Sequence, residues 1–427
     1  MNQPDRKEGP KITTINEVPI PSVNHYQLSN GIDVYEVGGT LRDVIKLEIV
    51  FNCGRPNEPQ KMISKAVSYL MKDGTTHKTS QEISALIDSY GATLKTTTNL
   101  DDTRIILYSL SKFFPKVLPL VTEIITQAQF PKEELSNYVE NSIQNLQLDL
   151  AKDEFIAYRI LTEKIFGADH PYGYNSSEKL FRTLTRESIR NYHANSYGAA
   201  NCTIYISGKT TESTRESLEA QFGSLEHKQK TPVIIPQISD QKGVFFIESA
   251  NVHQTSIRIG KRLFNRKHED YAAMFFLSTL LGGYFGSRLM SNLREENGYT
   301  YSIYSGLDDF VHDGYFYISA DVGNEFVENS IKEIHKELHL LMTEEISDKE
   351  MSLVKNYLMG NFLNSLDGSF NQAQVVRSFQ SKTGDWKRFS EFIDKIKTMD
   401  SRKLSFTAKK YLDPETMITV LVGSKSN

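Results

Sequence analysis

The sequence contains few of the features that mark a disulfide framework, a membrane span or a nucleic-acid surface. Its 427 residues include two cysteines, Cys53 and Cys202, and two cysteines so far apart suit buried thiols better than a disulfide framework or a metal site. No apolar run approaches the roughly 20 residues that a membrane helix needs. The net charge of −4 gives no electrostatic reason to bind nucleic acid or an anionic membrane. We therefore expect neither as a partner.

The N-terminal segment also lacks a targeting signal. Met1 to Lys11 is polar and has no hydrophobic region of the kind that secretory signals carry. This pattern favours a cytoplasmic location, or a periplasmic one if a leader has been removed. We assign residues 1–24 as an N-terminal extension.

The rest of the chain predicts two similar domains. A chain of this length is too long for one hydrophobic core, because cores stop growing beyond about 250–300 residues. Gly91, Asp101 and the strand at 107–110 recur as Gly298, Asp308 and the strand at 315–318, with an offset of 207 or 208. An offset that persists through several elements indicates a duplication. We assign residues 25–226 and 242–427 as the two domains, with a linker at 227–241 where Pro and polar residues break the periodicity.

Each unit is predicted to run strand, helix, helix, strand, turn, strand and then helices. This order predicts an α+β protein of two homologous α/β-sandwich domains, each a mostly antiparallel sheet with helices packed on one face. If the two halves enclose a cavity, the linker is a hinge whose opening admits an extended peptide.

Such a peptide would pair with an exposed strand, for which the segment Thr93–Thr98 is the candidate. Its predicted substrate-binding residues are Thr93, Leu94, Lys95, Thr96 and Thr97. The alternative is that a Thr-rich segment is simply a strand, because β-branched residues favour that conformation anyway.

The segment 65–75 predicts an amphipathic helix that runs into Gly74. One face is apolar at helical spacing. On the other face we expect Lys65, Ser68 and Tyr69, which stand at i, i+3 and i+4. An ammonium, a hydroxyl and a phenol are poor zinc ligands at neutral pH, because Lys and Tyr hold their protons.

Several motifs in this order resemble the pitrilysin/insulinase family of zinc metallopeptidases, which includes the mitochondrial processing peptidases. The resemblance covers most of residues 25–427 and implies that the chain forms half of a clamshell, in which similar domains face one another across a cavity. The motifs are Leu28-Ser29-Asn30-Gly31-Ile32, Lys72-Asp73-Gly74-Thr75, the strand from Gly91 to Thr98, His170-Pro171-Tyr172-Gly173, Asn195 to Asn201, and Leu281-Gly282-Gly283 through Arg288 to Tyr301.

The departures from the family pattern concern the metal. Members of the His-x-x-Glu-His type place two imidazoles and a general-base carboxylate at the positions of Lys65, Ser68 and Tyr69. Their third ligand, a Glu, falls at Leu146 here, and the nearest carboxylates, Glu140 and Asp149, are out of register. The resemblance therefore implies that this chain binds no zinc. The family's Asn-Ala pair on the substrate strand is also replaced, by Lys95-Thr96.

The second domain keeps the Arg/Tyr pattern of the family, although the first domain has lost the zinc ligands. Active members carry an Arg and a Tyr seven residues apart that face the zinc across the cavity, and Arg294 and Tyr301 have that spacing. We expect Arg294 on the last turn of a helix that Gly298 ends, and Tyr301 at the start of the next strand. Together they would stabilise the oxyanion of a peptide under attack. Alternatively, Arg294 complements its helix terminus or pairs with a nearby Glu, and Tyr301 is one tyrosine among 21.

The resemblance thus implies the non-zinc, Arg/Tyr-carrying subunit of a bacterial two-chain metalloendopeptidase acting on peptides or unfolded segments. Zinc would be held by a paralogous partner with the His-x-x-Glu-His motif, in a heterodimer, although a self-dimer stays open. The alternative is a catalytically inactive structural or peptide-binding homologue, like the respiratory core proteins. Retention of Arg294 and Tyr301 favours the peptidase subunit.

Overall fold

The computed structural model describes residues 15, 17–39, 42–228, 230, 233, 235–236, 241–249 and 253–424. Residues 1–14 and 16 of the assigned N-terminal extension lie outside the described residues. So do residues 229, 231–232, 234 and 237–240 of the assigned linker. The domain boundaries therefore stay predictions. Below, the first half means the described residues up to 228 and the second half those from 241 onward.

The first half contains one sheet, and its helices lie in the chain between the strands and after the last of them. Its strands are β1 (Asn24–Gln27), β2 (Asp33–Val37), β3 (Val44–Phe51), β4 (Thr93–Thr98), β5 (Thr103–Leu110) and β6 (Cys202–Gly208). Its α-helices are α1 (Ile63–Leu70), α2 (Ser80–Ser89), α3 (Phe114–Gln127), α4 (Lys132–Leu150), α5 (Asp153–Phe166), α6 (Glu178–Arg182), α7 (Arg186–Ser196) and α8 (Glu212–Phe222).

The second half repeats this plan. Its strands are β7 (Gly243–Glu248), β8 (Gln254–Leu263), β9 (Thr300–Asp309), β10 (Gly314–Gly323) and β11 (Ile418–Gly423). Its α-helices are α9 (Tyr271–Gly282), α10 (Val327–Thr343), α11 (Asp348–Ser365), α12 (Gly368–Thr383), α13 (Arg388–Lys397) and α14 (Ser401–Tyr411). A wider helical segment, Met290–Glu296, lies between α9 and β9. No helix of the described residues has the length and apolar composition that crossing a bilayer requires.

Five strands follow the same order in the two sheets, and the first sheet has β1 as an additional edge strand. The first runs β1-β2-β6-β3-β5-β4 and the second β7-β11-β8-β10-β9. The pairs β2–β6 and β7–β11 are parallel, and the other pairs are antiparallel. Gly91 and Gly298, just before the edge strands β4 and β9, have φ of 58° and 67°, which a residue without Cβ adopts readily. The predicted fold class is confirmed.

The apolar residues predicted on the helix at 65–75 are buried in the first half. Ala66, Val67 and Leu70 are fully buried in the core that α1, α3 and the sheet share. Both cysteines are free and buried, as expected from their number and spacing. Burial raises the pKa of the Cys53 thiol to about 12, so it stays protonated.

Each half also covers the sheet of the other. Helix α5 of the first half packs on β8 and β11 of the second sheet, where Leu161 and Phe166 join Tyr315 and Val420 in one buried cluster. Helix α12 of the second half packs on β2 and β6 of the first sheet. Opening the chain at the linker, as the hinge hypothesis requires, would expose this shared core. We therefore expect the two halves to move as one unit.

Candidate functional site

Helix α1 presents two of the three degenerate zinc-motif positions to solvent. Lys65 and Tyr69 are exposed, and the Tyr69 ring packs 5.1 Å from that of Tyr138 on α4. Ser68 is 2% exposed, so the helix face that these three positions share is only partly open to solvent. The physical reason is that α1 is packed on more than one side, against α7 as well as α4, and a small hydroxyl fits that contact.

These positions do not fit a zinc ion. Leu146, at the place of the third ligand, is buried in the apolar core. The carboxylates nearest to it in sequence are engaged elsewhere, Glu140 with Arg182 at 3.0 Å and Asp149 with Lys152 at 2.9 Å. Within the described residues, no three His, Cys, Asp or Glu side chains are close enough together to hold a metal ion. The donor set of α1 is therefore wrong for zinc in charge and in type.

A carboxylate that the sequence reasoning missed organises the start of α1. Glu58 accepts hydrogen bonds from the Ser64 amide at 2.9 Å and from the Tyr174 hydroxyl at 2.6 Å. Burial raises the pKa of Glu58, and these hydrogen bonds oppose that rise. The carboxyl oxygens of Glu58 accept from N–H groups at the helix start that have no partner within the helix. Met62, just before α1, is held at φ 75°.

Arg294 lies on the wide helical segment that precedes β9. The Asn297 amide donates to the Asn292 carbonyl at 3.1 Å. This i to i−5 pattern is rare in proteins overall, and where it occurs it is often at a functional site. The guanidinium of Arg294 lies 4.9 Å from the ring centroid of Phe285, which is 60% exposed. No carboxylate of the described residues forms an ion pair with Arg294. The alternative that Arg294 serves a neighbouring Glu therefore finds no support.

Tyr301 lies on a β-bulge at the start of the edge strand β9. The register against β10 shifts so that Tyr301 and Ser302 together oppose Asp321. The Thr300 hydroxyl holds the bulge, donating to the Asp321 carbonyl at 2.7 Å and accepting from the Ser302 amide at 3.1 Å. Bulges re-aim a side chain, and Tyr301 is 86% exposed. The predicted helix end at Gly298 and strand start near Tyr301 are both confirmed.

The predicted substrate strand is an edge. β4 pairs with β5 on one side and is the last strand in the order of the described sheet. Thr93, Lys95 and Thr97 are exposed, whereas Leu94 and Thr96 on the other face are half-buried. Its free edge carries backbone donors and acceptors that a further strand could use.

A cavity of about 580 Å³ lies between the two halves, and only some of the predicted site residues line it. Lys65 is part of its wall, and so is Thr98 at the end of β4. Arg294 and Tyr301 do not line it. Lys65 of the degenerate zinc helix and the end of the predicted substrate strand therefore share one cavity wall, whereas the half-buried Arg294 and the exposed Tyr301 lie outside that wall.

This architecture is that of a duplicated α/β peptidase whose metal helix has lost its ligands. The family model described as insulinase (peptidase family M16) matches residues 42–165. The model described as the peptidase M16 inactive domain matches residues 183–358. The chain belongs to the M16, or insulinase, family of peptidases.

Full-length relatives are similar along nearly the whole chain. An uncharacterized zinc protease of Bacillus subtilis, YmxG, is 21% identical over 408 residues, which cover 94% of this chain and 98% of the relative. Among solved structures, a peptidase M16 inactive domain from Pseudomonas fluorescens is similar with a TM-score of 0.87 and 22% identity, covering 95% of this chain and 98% of that one. The periplasmic protease PqqL from Escherichia coli has a TM-score of 0.80 and 15% identity, covering all of this chain and 49% of PqqL.

Proposed function

We propose that this chain is a subunit of a zinc-dependent metalloendopeptidase that lacks its own zinc site and supplies Arg294 and Tyr301 to a zinc-bearing partner. The observation that carries the proposal is the availability of this pair. Arg294 has no carboxylate partner among the described residues, and Tyr301 is 86% exposed on a bulge. A pair kept only for stability would be expected to find partners within its own fold.

The two side chains suit the stabilisation of an oxyanion. Guanidinium N–H groups and a phenol O–H can donate hydrogen bonds to a peptide carbonyl oxygen on which negative charge develops. The Phe285 ring supports the guanidinium of Arg294 from one side, which limits the orientations it has to lose on binding. One such donor contributes about 2.7–4 kcal/mol of transition-state stabilisation in known enzymes.

The substrate would be an extended peptide or an unfolded segment. The free edge of β4 offers backbone hydrogen bonds along Thr93, Leu94, Lys95, Thr96 and Thr97, and a peptide added there gains affinity with little dependence on sequence. Because α5 and α12 lock the two halves together, the opening that admits substrate would lie between this chain and its partner.

The partner that fits is a paralogous subunit carrying His-x-x-Glu-His, although a second copy of this chain stays the alternative. Such a partner would face Phe285, which packs against Arg294, and the exposed Tyr301 and Tyr304 of β9. We propose a cytoplasmic location for the pair, and the periplasmic location in the name of PqqL keeps that compartment as the alternative.

The test is reconstitution with a His-x-x-Glu-His paralogue from the same organism, for which the product of the neighbouring gene is the first candidate to examine. The pair should cleave an unfolded peptide and either chain alone should not. Tyr301→Phe should lower turnover by roughly 100- to 1,000-fold without changing assembly. Tyr304→Phe is the matched control, because Tyr304 lies exposed on the same strand. Undiminished activity of the Tyr301→Phe pair would remove Tyr301 from the mechanism.

The second candidate is a structural or peptide-binding homologue without chemistry. The match to a family model described as an inactive domain favours it. In that case peptides would bind to this chain, and no paralogue would convert binding into cleavage. Loss of peptide binding on blocking β4, with no activity in any reconstituted pair, would favour this function.

A further inference from the structure

A charged cavity lies where hairpin turns of the two halves meet. The turn between β4 and β5 faces the turn between β9 and β10, and the Val311 amide donates to Asp101 across the contact at 2.9 Å. Helix α1 and the loop before it complete one wall, and α12 completes the other. The volume of about 580 Å³ is within the range in which proteins hold small ligands or a few residues of a peptide.

Most charged groups of this cavity are matched by neighbours. The carboxylates of Glu58, Asp101 and Asp308 accept hydrogen bonds from the hydroxyls of Tyr174, Tyr172 and Tyr315. Three of the cations have carboxylate partners: Arg104 with Asp102 at 2.7 Å, Lys382 with Asp309 at 2.7 Å, and Arg377 with Glu48 at 2.9 Å.

Lys65 is different from these cations. No carboxylate of the described residues forms an ion pair with its ammonium, and the nearest attraction comes from Asp149, which is already paired with Lys152. The Lys65 side chain as a whole is exposed, but partial loss of water around its ammonium at the cavity wall, together with the positive charge of Arg55, lowers the pKa of Lys65. Arg55 itself donates to the Tyr174 carbonyl at 2.9 Å and stacks over the Tyr174 ring. The charge of Arg55 also acts on the buried Glu58, so Lys65 is the cation at this end of the cavity for which the described residues supply no ion pair.

The proposed substrate strand, β4, ends at the wall of this cavity. Thr98, the last residue of β4, lines the cavity together with Lys65. Thr98 is half-buried at this point, so the end of β4 forms part of the cavity wall. A peptide that extends the sheet along β4 would reach this end of the cavity.

We propose that Lys65, with the positive charge of Arg55 nearby, binds a carboxylate of the peptide that pairs with β4. The carboxylate is either an Asp or Glu side chain or the free C-terminus of the peptide. The position at which zinc-binding relatives carry their first imidazole would then serve substrate selection instead of metal binding. This inference rests on the proposed peptide-binding function and adds a substrate class to it.

The test measures peptide binding to the full chain alone by fluorescence anisotropy. The probe is a short fluorescein-labelled peptide of Ser, Thr and Val with one central Glu and an amidated C-terminus. A second peptide has Gln for Glu, and a third has Gln and a free C-terminal acid. We expect at least one acid-bearing peptide to bind roughly 10-fold more tightly than the neutral peptide, since a hydrogen bond to a charged group contributes at least this much. The preference should weaken in high salt.

Three variants make the result specific. Lys65→Met should remove the preference for acid without lowering the melting temperature, because Lys65 is exposed. Lys65→Arg should retain the preference, and so should the control Lys72→Met, because Lys72 follows the same helix outside the cavity.

The outcomes separate the two proposals. Equal binding of all three peptides, or an unchanged preference in Lys65→Met, would overturn the carboxylate site and leave peptide binding intact. If no peptide binds to the wild-type chain, both the carboxylate site and the proposed peptide-binding role of β4 are refuted. Whichever acid-bearing peptide is preferred identifies the source of the carboxylate.

Discussion

A buried ion triad connects the two halves and allows a sharp stability prediction. Glu48 on the central strand β3 pairs with Lys46 on the same strand and with Arg377 on α12 of the second half, whose Nε lies 2.9 Å from Glu48 Oε2. The side chains of Lys46, Glu48 and Arg377 are 8%, 4% and 8% exposed. Glu48 thus contacts both buried cations, and the paired charges of Arg104 and Asp102 act on Arg377 from nearby.

Replacing Glu48 by Gln keeps the shape and removes the anion. Two buried cations then face one another, and removing one partner of a buried charge cluster costs about 3–5 kcal/mol. Arg377→Met should cost less, roughly 1–3 kcal/mol, because the Lys46–Glu48 pair remains balanced. Burial already lowers the pKa of Arg377, which shows that its charge is held at a cost.

The decisive measurement is the double variant. If charge balance governs the site, Arg377→Met should stabilise the Glu48→Gln protein although it destabilises the wild type, because it removes one of two uncompensated cations. Urea unfolding can be followed by circular dichroism and by Trp386, the one tryptophan of the chain, which packs on the same contact between α12 and the first sheet.

A surface pair provides the control. Arg182→Met removes a partner of Glu178, and these side chains are 50% and 53% exposed, so the loss should stay below about 1 kcal/mol. The charge-balance argument fails if Arg377→Met destabilises the Glu48→Gln protein as much as it destabilises the wild type.

Three further predictions concern pH, the shared core and the turn before β9. Burial lowers the pKa of His193 to about 4. Because the unfolded chain takes up the proton at about pH 6.5, the folded state should lose up to about 3 kcal/mol of stability as pH falls from about 6.5 to 4. His193→Gln should flatten this dependence of the unfolding free energy on pH in urea titrations, and an unchanged dependence would contradict the prediction. Phe166→Ala should cost about 3–5 kcal/mol and lower the unfolding midpoints of both halves together, because Phe166 packs against Tyr315 of the second half; midpoints that separate would show independent halves. Gly298→Ala should cost about 1–2 kcal/mol, because φ there is 67° although the space is open; a melting temperature equal to wild type would rule out that strain.

Much of the local structure followed from sequence patterns. The repeat with its constant offset predicted two equivalent sheets, and the apolar spacing around Ala66 predicted the buried face of α1. Gly298 predicted the end of the helix that carries Arg294. These features succeed because they depend on residues close in the chain, where periodicity and backbone preference act directly.

Other features of the site could not be read in this way. The burial of Ser68 depends on how α7 approaches α1, and the role of Glu58 depends on a loop that returns to the helix start. The bulge that exposes Tyr301 depends on pairing with β10, since a register shift is a property of two strands together. No pattern within one segment carries that information.

The sequence by itself determined the duplicated α+β plan, the absence of zinc-type ligands at Lys65, Ser68 and Tyr69, and the spacing of Arg294 and Tyr301. Tertiary structure decided which half covers which sheet. The contacts of α5 with β11 and of α12 with β6 join residues far apart in sequence, and they are selected by the apolar surface that both halves bury together. The same packing brings Lys65 to a cavity that neither half could form alone.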